Sequence, residues 1–535
     1  MPNRRFKMLK FGIENIRRLG RMSPIEIKPI TLLLGRNSGG KSTFLRTFPL
    51  FRQSLMTRTS SPILWYGDLV DFGSFDTVIS RDTESKTIFF SFVVDQIVIE
   101  DRPIYIGDQF GYFRRPEPSS AQDITYIVGI ERRGERTRIS SISINVSRPK
   151  IRVLLEIDDA TTVSKLLVND EDILAAISPL RFSLSSGSLF PDLRFLRPRE
   201  DNRDLWIVNN PYAAAVLPQL IKLLRRTIDQ RTKDKSISEI AGRLLAAGFA
   251  DRERFKSVGR NHGVTVGRLF EALASNEGDK TYRQIAMLLD AAALPSLFRA
   301  IAQHLKTILS ATLYIGPARA RSERYYRYQD LAVSEIDPDG KNFPMFLNSL
   351  SRTQIEAFSQ WVKSLFGYGV AVSRQTGHIS INLTNGPVET NIVDVGYGVS
   401  QILPVLGQIW WARNRPTSRE ARTPLALLAI EQPELHLHPA HQALLADALV
   451  GEATASSGAR AETARMHYVV ETHSETLVNR LGEFIAAGKL DPENVQVILF
   501  EPDDVTGTTS VRTVDFDQNG TLVDWPYGFF QPSVV

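Results

Sequence analysis

The stretch Gly35-Arg36-Asn37-Ser38-Gly39-Gly40-Lys41-Ser42 fills every fixed position of the phosphate-binding loop G-x-x-x-x-G-K-[ST]. Its flanks fit that reading. Pro29 to Leu34 (P-I-T-L-L-L) reads as a short buried strand, and Thr43-Phe44-Leu45-Arg46 continues as a helix. A strand, a glycine-rich turn and a helix N-terminus aim successive backbone N–H groups at one small volume, which suits a polyphosphate. In that setting Lys41 is expected to reach the β- and γ-phosphates of ATP and Ser42 to hold Mg²⁺. Gly35, Asn37, Ser38, Gly39, Gly40 and Thr43 are expected to line the nucleotide.

The rest of the chain sets bounds on this reading. At 535 residues it exceeds one ordinary core, so two or three lobes are expected. Hydrophobic content of 43% and charged content of 23% are those of a globular protein. Without cysteine there is no disulfide, no thiolate metal site and no cysteine nucleophile. No apolar run approaches the roughly 20 residues that span a bilayer, and the basic start Met1 to Lys7 lacks the apolar stretch of a signal peptide. A cytoplasmic protein with no membrane partner is expected. The net charge of +5 is mild and permits nucleic-acid contact without demanding it.

Outward from the loop, residues 6–50 read as strand, strand, loop and helix. From Lys86 to Glu156 the pattern is β, with Thr87 to Val94, Ile124 to Ile130, Thr137 to Val146 and Ile151 to Ile157 as antiparallel strands. Asp101 to Gln122, rich in Pro, Gly and Arg, reads as a loop, and residues 160–210 are ambiguous. Residues 212–308 carry helical stripes such as Ala215, Leu217, Leu220, Ile221 and Leu224. Thr312 to Gly316 then returns to a strand. The expected division is 1–210 as an ATPase lobe with the antiparallel β region, 211–310 as a helical insertion, and 311–535 as the second ATPase half.

A phosphate-binding fold of this kind needs an acidic residue at the end of a hydrophobic strand to organise the metal. Leu425 to Ile430 leads into Glu431-Gln432-Pro433-Glu434-Leu435-His436-Leu437-His438-Pro439, and Glu431 is the candidate. A second strand, His467 to Val470, runs into Glu471-Thr472-His473-Ser474-Glu475. A third element, Val393-Asp394-Val395-Gly396-Tyr397-Gly398-Val399-Ser400-Gln401, reads as a glycine-rich turn opening a helix near Ile402, with Ser400 as N-cap.

With these elements in order, the chain resembles the ABC-type ATPases of the class that includes the SMC and OLD (overcoming lysogenisation defect) proteins. Within that class it looks most like the AAA/ABC-like ATPases of prokaryotic defence systems, such as the ATPase subunit of Septu and of Septu-carrying retrons. The resemblance covers roughly 1–100 and 311–535, and includes Tyr314 to Arg321 and the closing Asp524 to Phe530. It implies an α/β fold, an ABC-type P-loop ATPase head with an antiparallel β lobe and a helical insertion. It also implies that Gly396, Gly398, Ser400 and Gln401 form the signature turn, capping the γ-phosphate bound to a second subunit in a homodimer or higher homo-oligomer. On this view the turn has no role in its own subunit's site. His473 would be the switch histidine, contacting the γ-phosphate of its own chain.

One departure matters chemically. The wider class usually follows its metal-binding acid with a Glu that activates water, and here that place holds Gln432. An amide orients water but is no carboxylate base, so stable ATP binding with slow hydrolysis is expected, with Glu434 as the nearest spare carboxylate. Glu431 and Ser42 form the expected metal set, and Gln432, Glu434 and His473 the expected catalytic set.

The histidines His436, His438, His441, His467 and His473 follow neither H-E-x-x-H nor a finger spacing. His436 and His438 are read as lying in the turn after the metal-binding strand, facing the dimer partner. Basic runs at Arg132 to Arg138, Arg225 to Lys235 and Arg252 to Arg260 read as solvated faces or as phosphate contacts with DNA or an RNA–DNA hybrid. Arg319, Arg321, Arg324 and Arg327, interleaved with Tyr325, Tyr326 and Tyr328, form the most suggestive patch. The chain has no C-terminal acidic cluster for a Toprim nuclease. By resemblance, a separate HNH-type nuclease subunit would carry the cutting. The competing class is a DNA-repair or chromosome-maintenance ATPase acting directly on DNA, and a transporter ATPase is a third reading.

Overall fold

The computed structural model describes residues 9–81, 85–99, 104–105, 112–113, 119–158, 161–198, 205–207, 215–276, 279–330, 333–414, 425–454, 465–503, 505–526 and 529. The basic start Met1 to Lys7 and the closing Tyr527, Gly528 and Phe530 lie outside them. The chain forms two compact units, each discontinuous in sequence. One comprises Ile13–Met56, Leu64–Ser85 and Thr307–Val535, the other Met1–Gly12, Thr57–Ile63 and Lys86–Lys306. The three-segment division 1–210, 211–310 and 311–535 is consecutive and follows a different cut.

The first unit is built on a mostly parallel sheet. Its strands are β1 (Ile30–Gly35), β2 (Leu313–Ile315), β3 (Leu425–Glu431), β4 (Arg465–Glu471), β5 (Val495–Pro502) and β6 (Thr509–Val514), with helices α1 (Lys41–Met56), α2 (Tyr397–Asn414) and α3 (Glu475–Ala486). Strand order is β6-β5-β1-β4-β3-β2. All neighbours run parallel except β5 and β6. The near-continuous apolar runs of β1 and β5 follow from burial on both faces, as a parallel sheet requires. Leu32, Leu34, Ile315, Leu428, Ile430, Tyr468, Val470 and Val497 meet Leu406 and Ile409 of α2 in one core.

Register decides where chemistry can occur. Glu431 of β3 pairs with Glu471 of β4, Glu471 with Leu33 of β1, and Gly35 with Phe500 of β5. The carboxyl ends of three adjacent parallel strands therefore open at one level, which is where open α/β sheets bind ligands.

The other unit carries an antiparallel meander, Thr87–Ile99, Ser119–Arg133, Arg136–Arg148, Ile151–Ile157, Val163–Val168 and Glu171–Asp172, in sequential pairing. Alternating burial along Thr87–Ile99 matches its period of two. Ser119 to Gln122, expected in a loop, are strand residues paired with Gln96 to Ile99. The ambiguous 160–210 stretch supplies a second small sheet of Arg181–Leu184, Leu193–Pro198 and Leu205–Ile207. The helical pattern forms Leu217–Thr227, Asp234–Ala246, Arg252–Arg260, Val264–Ser275 and the long Lys280–Ser310. That last helix carries Arg283, Asp290, Arg299 and Lys306 along its length. It is long and apolar enough to cross a bilayer, but 67% of its most apolar window is buried inside the protein.

Candidate functional site

The loop between β1 and α1 has the backbone its sequence requires. Gly35 (φ +149°) and Gly40 (φ +95°) occupy conformations that L side chains rarely adopt, and Ser38 sits at φ +62°. A Cβ on Gly35 would stand 2.3 Å from the Phe500 carbonyl oxygen of the neighbouring strand. Lys41 opens α1 and is buried. Its Nζ donates to the Gly35 and Arg36 carbonyls at 3.0 and 2.9 Å, so the ammonium is curled onto the loop that phosphate oxygens would share. Burial lowers its pKa, opposed by the charges of Glu471 and Glu434.

Around this loop the structure gathers Glu431, Gln432, Glu434, Glu471 and His473, all from the ends of β3 and β4. Glu431, the expected metal ligand, is 1% exposed and fully engaged. Arg46 of α1 holds both its oxygens, Nε to Oε1 and Nη2 to Oε2, each at 2.7 Å, and the Tyr314 hydroxyl donates to Oε1 at 2.7 Å. The carboxylate that faces Ser42 is another one. The Ser42 hydroxyl donates to Glu471 Oε1 at 2.9 Å, and Lys41 Nζ lies 3.9 Å from the same oxygen.

Gln432 follows directly at φ +42°, a left-handed conformation unusual for a side-chain-bearing residue and typical of strain held at functional positions. Its N–H donates to the Glu471 carbonyl at 2.8 Å. Glu434 is 8% exposed; its Oε1 accepts the His473 backbone N–H at 2.7 Å, and its Oε2 has no partner among the described residues. Burial raises the Glu434 pKa against that hydrogen bond. The His473 ring is exposed, and its pKa falls below the ordinary histidine value through desolvation and the nearby Lys41 charge. A shift in that direction favours the neutral imidazole, which donates from one nitrogen.

One sequence expectation is corrected at the signature turn. The helix α2 begins at Tyr397, so Ser400 is not its N-cap: it lies buried in the first turn and donates to the Tyr397 carbonyl at 2.7 Å. The turn is also tied to its own chain. A Cβ on Gly398 would come within 2.5 Å of the His436 carbonyl oxygen, and Gln401 Nε2 donates to the Ala320 carbonyl at 3.2 Å. The His436 ring meets Tyr397 edge to face at 5.0 Å. Gly396 (φ +109°) stands apart, with nothing among the described residues within 4 Å of where its Cβ would be.

The Arg–Tyr patch divides. Arg319 is 6% exposed and donates to the Glu431 and Gln432 carbonyls at 3.0 and 3.5 Å, bracing the turn after β3. Arg324 pairs with Asp394 at the surface beside Tyr325 and Tyr328, which are exposed. Elsewhere Arg225 pairs with Asp234, while Lys256 and Arg260 pair with Glu253 and Glu271. Sequence reasoning missed Glu471, Arg46, Tyr314 and Arg319 as parts of the site. Only Glu471 carried a local signal, an acid closing an apolar strand just as Glu431 does.

Residues 283–478 match a family model described as an AAA ATPase domain. That span runs through β2, α2, β3 and β4 to His473 and excludes the loop 35–42, so motif and family model point to one site from separate residues. The fold is α/β, with the phosphate-loop motif between the first strand and the first helix of a mostly parallel sheet. The SMC head domain from Thermotoga maritima is similar to the chain at 10% identity, covering 94% of this chain and 98% of that one, with a TM-score of 0.34. No curated protein matches.

The donor set fits a hard divalent cation. Ser42 offers a hydroxyl and Glu471 a buried carboxylate oxygen without a hydrogen-bond partner among the described residues. Oxygen donors of this kind suit Mg²⁺, which stabilises charge on the β- and γ-phosphates when bound.

Proposed function

We propose that this chain binds MgATP at Lys41 and Ser42 and works as a slowly hydrolysing switch that closes as a homodimer. The carrying observation is the buried Lys41 and the Ser42 hydroxyl set at the aligned ends of β1, β3 and β4, with Gln432 directly after β3. Lys41 exchanges the loop carbonyls for phosphate oxygens. Glu431, one strand further along, is held by Arg46 and Tyr314 and braces the site. Gln432 orients water, and Glu434, buried and half-satisfied, is the carboxylate nearest to accept a proton from it. His473 donates a hydrogen bond toward the terminal phosphate. Phosphoryl transfer depends mostly on positioning and charge stabilisation, so loss of a base slows the reaction by about 10²–10⁴-fold without removing it.

The signature turn supports the dimer. Val393, Val395 and Tyr397 are 42%, 38% and 46% exposed around the open Gly396, an apolar rim suited to a second subunit. By the resemblance of its motifs, the switch would control a separate nuclease subunit of a cytoplasmic anti-phage complex, with DNA or an RNA–DNA hybrid as trigger. Light scattering at micromolar concentration tests the closing step: ATP is expected to convert monomer to dimer, and a monomer with and without ATP would overturn it. Co-purification of a nuclease subunit encoded beside this chain tests the effector role. An isolated chain that restrains no nuclease, but whose ATP turnover rises on DNA, would replace that role with chromosome maintenance.

A further inference from the structure

We propose that Glu471, and not Glu431, is the carboxylate that positions Ser42 and the divalent cation at the phosphate loop. The inference rests on the MgATP reading above and assigns a role within it.

The two acids look alike in sequence. Each closes an apolar strand, and their backbones pair directly, Glu431 beside Glu471. Their side chains do different work. Glu431 has a bidentate Arg46 on its two oxygens and a Tyr314 hydroxyl on Oε1, a closed set that neutralises its charge. A carboxylate held in this way has little left to offer a cation. Glu471 is 2% exposed, takes the Ser42 proton on Oε1, and keeps Oε2 buried with no hydrogen-bond partner among the described residues. A buried carboxylate oxygen left unpaired is destabilising unless something cationic or protic meets it. Lys41, 3.9 Å from Oε1, is within ion-pair reach but spends its hydrogen bonds on the Gly35 and Arg36 carbonyls.

The hydrogen bond from Ser42 has a direction with consequences. By accepting the hydroxyl proton, Glu471 leaves the oxygen lone pairs of Ser42 turned away from itself. A metal ligand oriented from behind by a carboxylate binds its ion more tightly, and losing such a partner typically costs about 10–100-fold in metal affinity. Glu471 is thus a positioning residue acting through Ser42, with Oε2 free to face the cation or one of its waters.

The test measures metal linkage and not turnover. Mn²⁺ binding to the full-length chain with ATP is followed by electron paramagnetic resonance, and ATP affinity is measured by calorimetry with Mg²⁺ and with EDTA. The variants are Glu471→Gln, Glu471→Asp and Glu431→Gln, each checked for folding by thermal unfolding. Glu471→Gln is expected to weaken Mn²⁺ by about 10–100-fold while ATP affinity in EDTA stays close to that of the unsubstituted chain. Glu471→Asp is expected to restore part of the loss, and Glu431→Gln to lower the unfolding temperature with a smaller loss of Mn²⁺. Full Mn²⁺ affinity in Glu471→Gln, or a larger loss in Glu431→Gln than in Glu471→Gln, would overturn the assignment and leave the ATP site standing. An unsubstituted chain that binds no ATP in either condition would overturn both.

Discussion

The phosphate loop and the signature turn are both glycine-rich entries to a helix, yet they differ in how far their own chain completes them. The loop is closed in on itself. Gly35 abuts the Phe500 carbonyl, Lys41 is buried against two loop carbonyls, and Ser42 is bonded to Glu471. At the turn, Gly398 and Gln401 are anchored to the Arg319–Ala320 and His436 segments, but Gly396 and the side chains of Val393, Val395 and Tyr397 face outward. One region is built to receive a ligand from within the chain. The other leaves its first glycine open among the described residues, where the proposed second subunit would sit.

Paired glycine substitutions give the largest contrast. Gly35→Ala would force a Cβ against backbone, and it is expected to destabilise this unit by about 1–3 kcal/mol and abolish ATP binding. Gly396→Ala meets open space and carries only the left-handed strain, about 1 kcal/mol, while losing ATP-dependent dimerisation. Thermal unfolding with light scattering separates the two, and equal destabilisation would erase the distinction.

Gln432→Glu sharpens the same comparison on the chemical side. If slow turnover comes from the missing base, single-turnover hydrolysis should rise by up to about 10²-fold and the ATP-bound dimer should live correspondingly shorter. Glu434→Gln, measured alongside, should slow whatever hydrolysis the natural protein shows. Rapid hydrolysis that survives Glu434→Gln and gains nothing from Gln432→Glu would refute the slow-switch account.

A smaller effect is expected far from the site. Asp290 of the long helix accepts the Ala250 N–H at 2.8 Å, and desolvation pushes its pKa up to about 7. Because the folded state holds this proton more tightly than the unfolded chain, the stabilisation is complete at acid pH and is lost as pH rises from about 4 toward 7. Asp290→Asn should flatten the stability–pH curve across that window. An unchanged slope in denaturant titrations at several pH values would show that Asp290 contributes none of it.

Much of the sheet was legible because its strands are unbroken apolar runs with an unmistakable loop after β1. The meander was legible from its alternating β-branched and aromatic residues. Ser119 to Gln122 were not, since their polar side chains carry no period and only pairing with Gln96 to Ile99 makes them a strand. Glu431 was read from position alone. Its engagement by Arg46 and Tyr314 spans 385 and 117 residues of sequence, and no local pattern announces contacts of that range. The same holds for Ser42 and Glu471, 429 residues apart. Arg319 was read with Arg321, Arg324 and Arg327 as one Arg–Tyr patch, whereas the fold buries it under the turn after β3.

The central claim is that Lys41 makes this a nucleotide site, and calorimetric titration of MgATP into the natural protein and Lys41→Ala tests it most directly. The account predicts saturable binding with one ATP per chain, weakened at least about tenfold by the substitution as charged hydrogen bonds to phosphate are lost. Equal ATP affinity in the two folded proteins would contradict it.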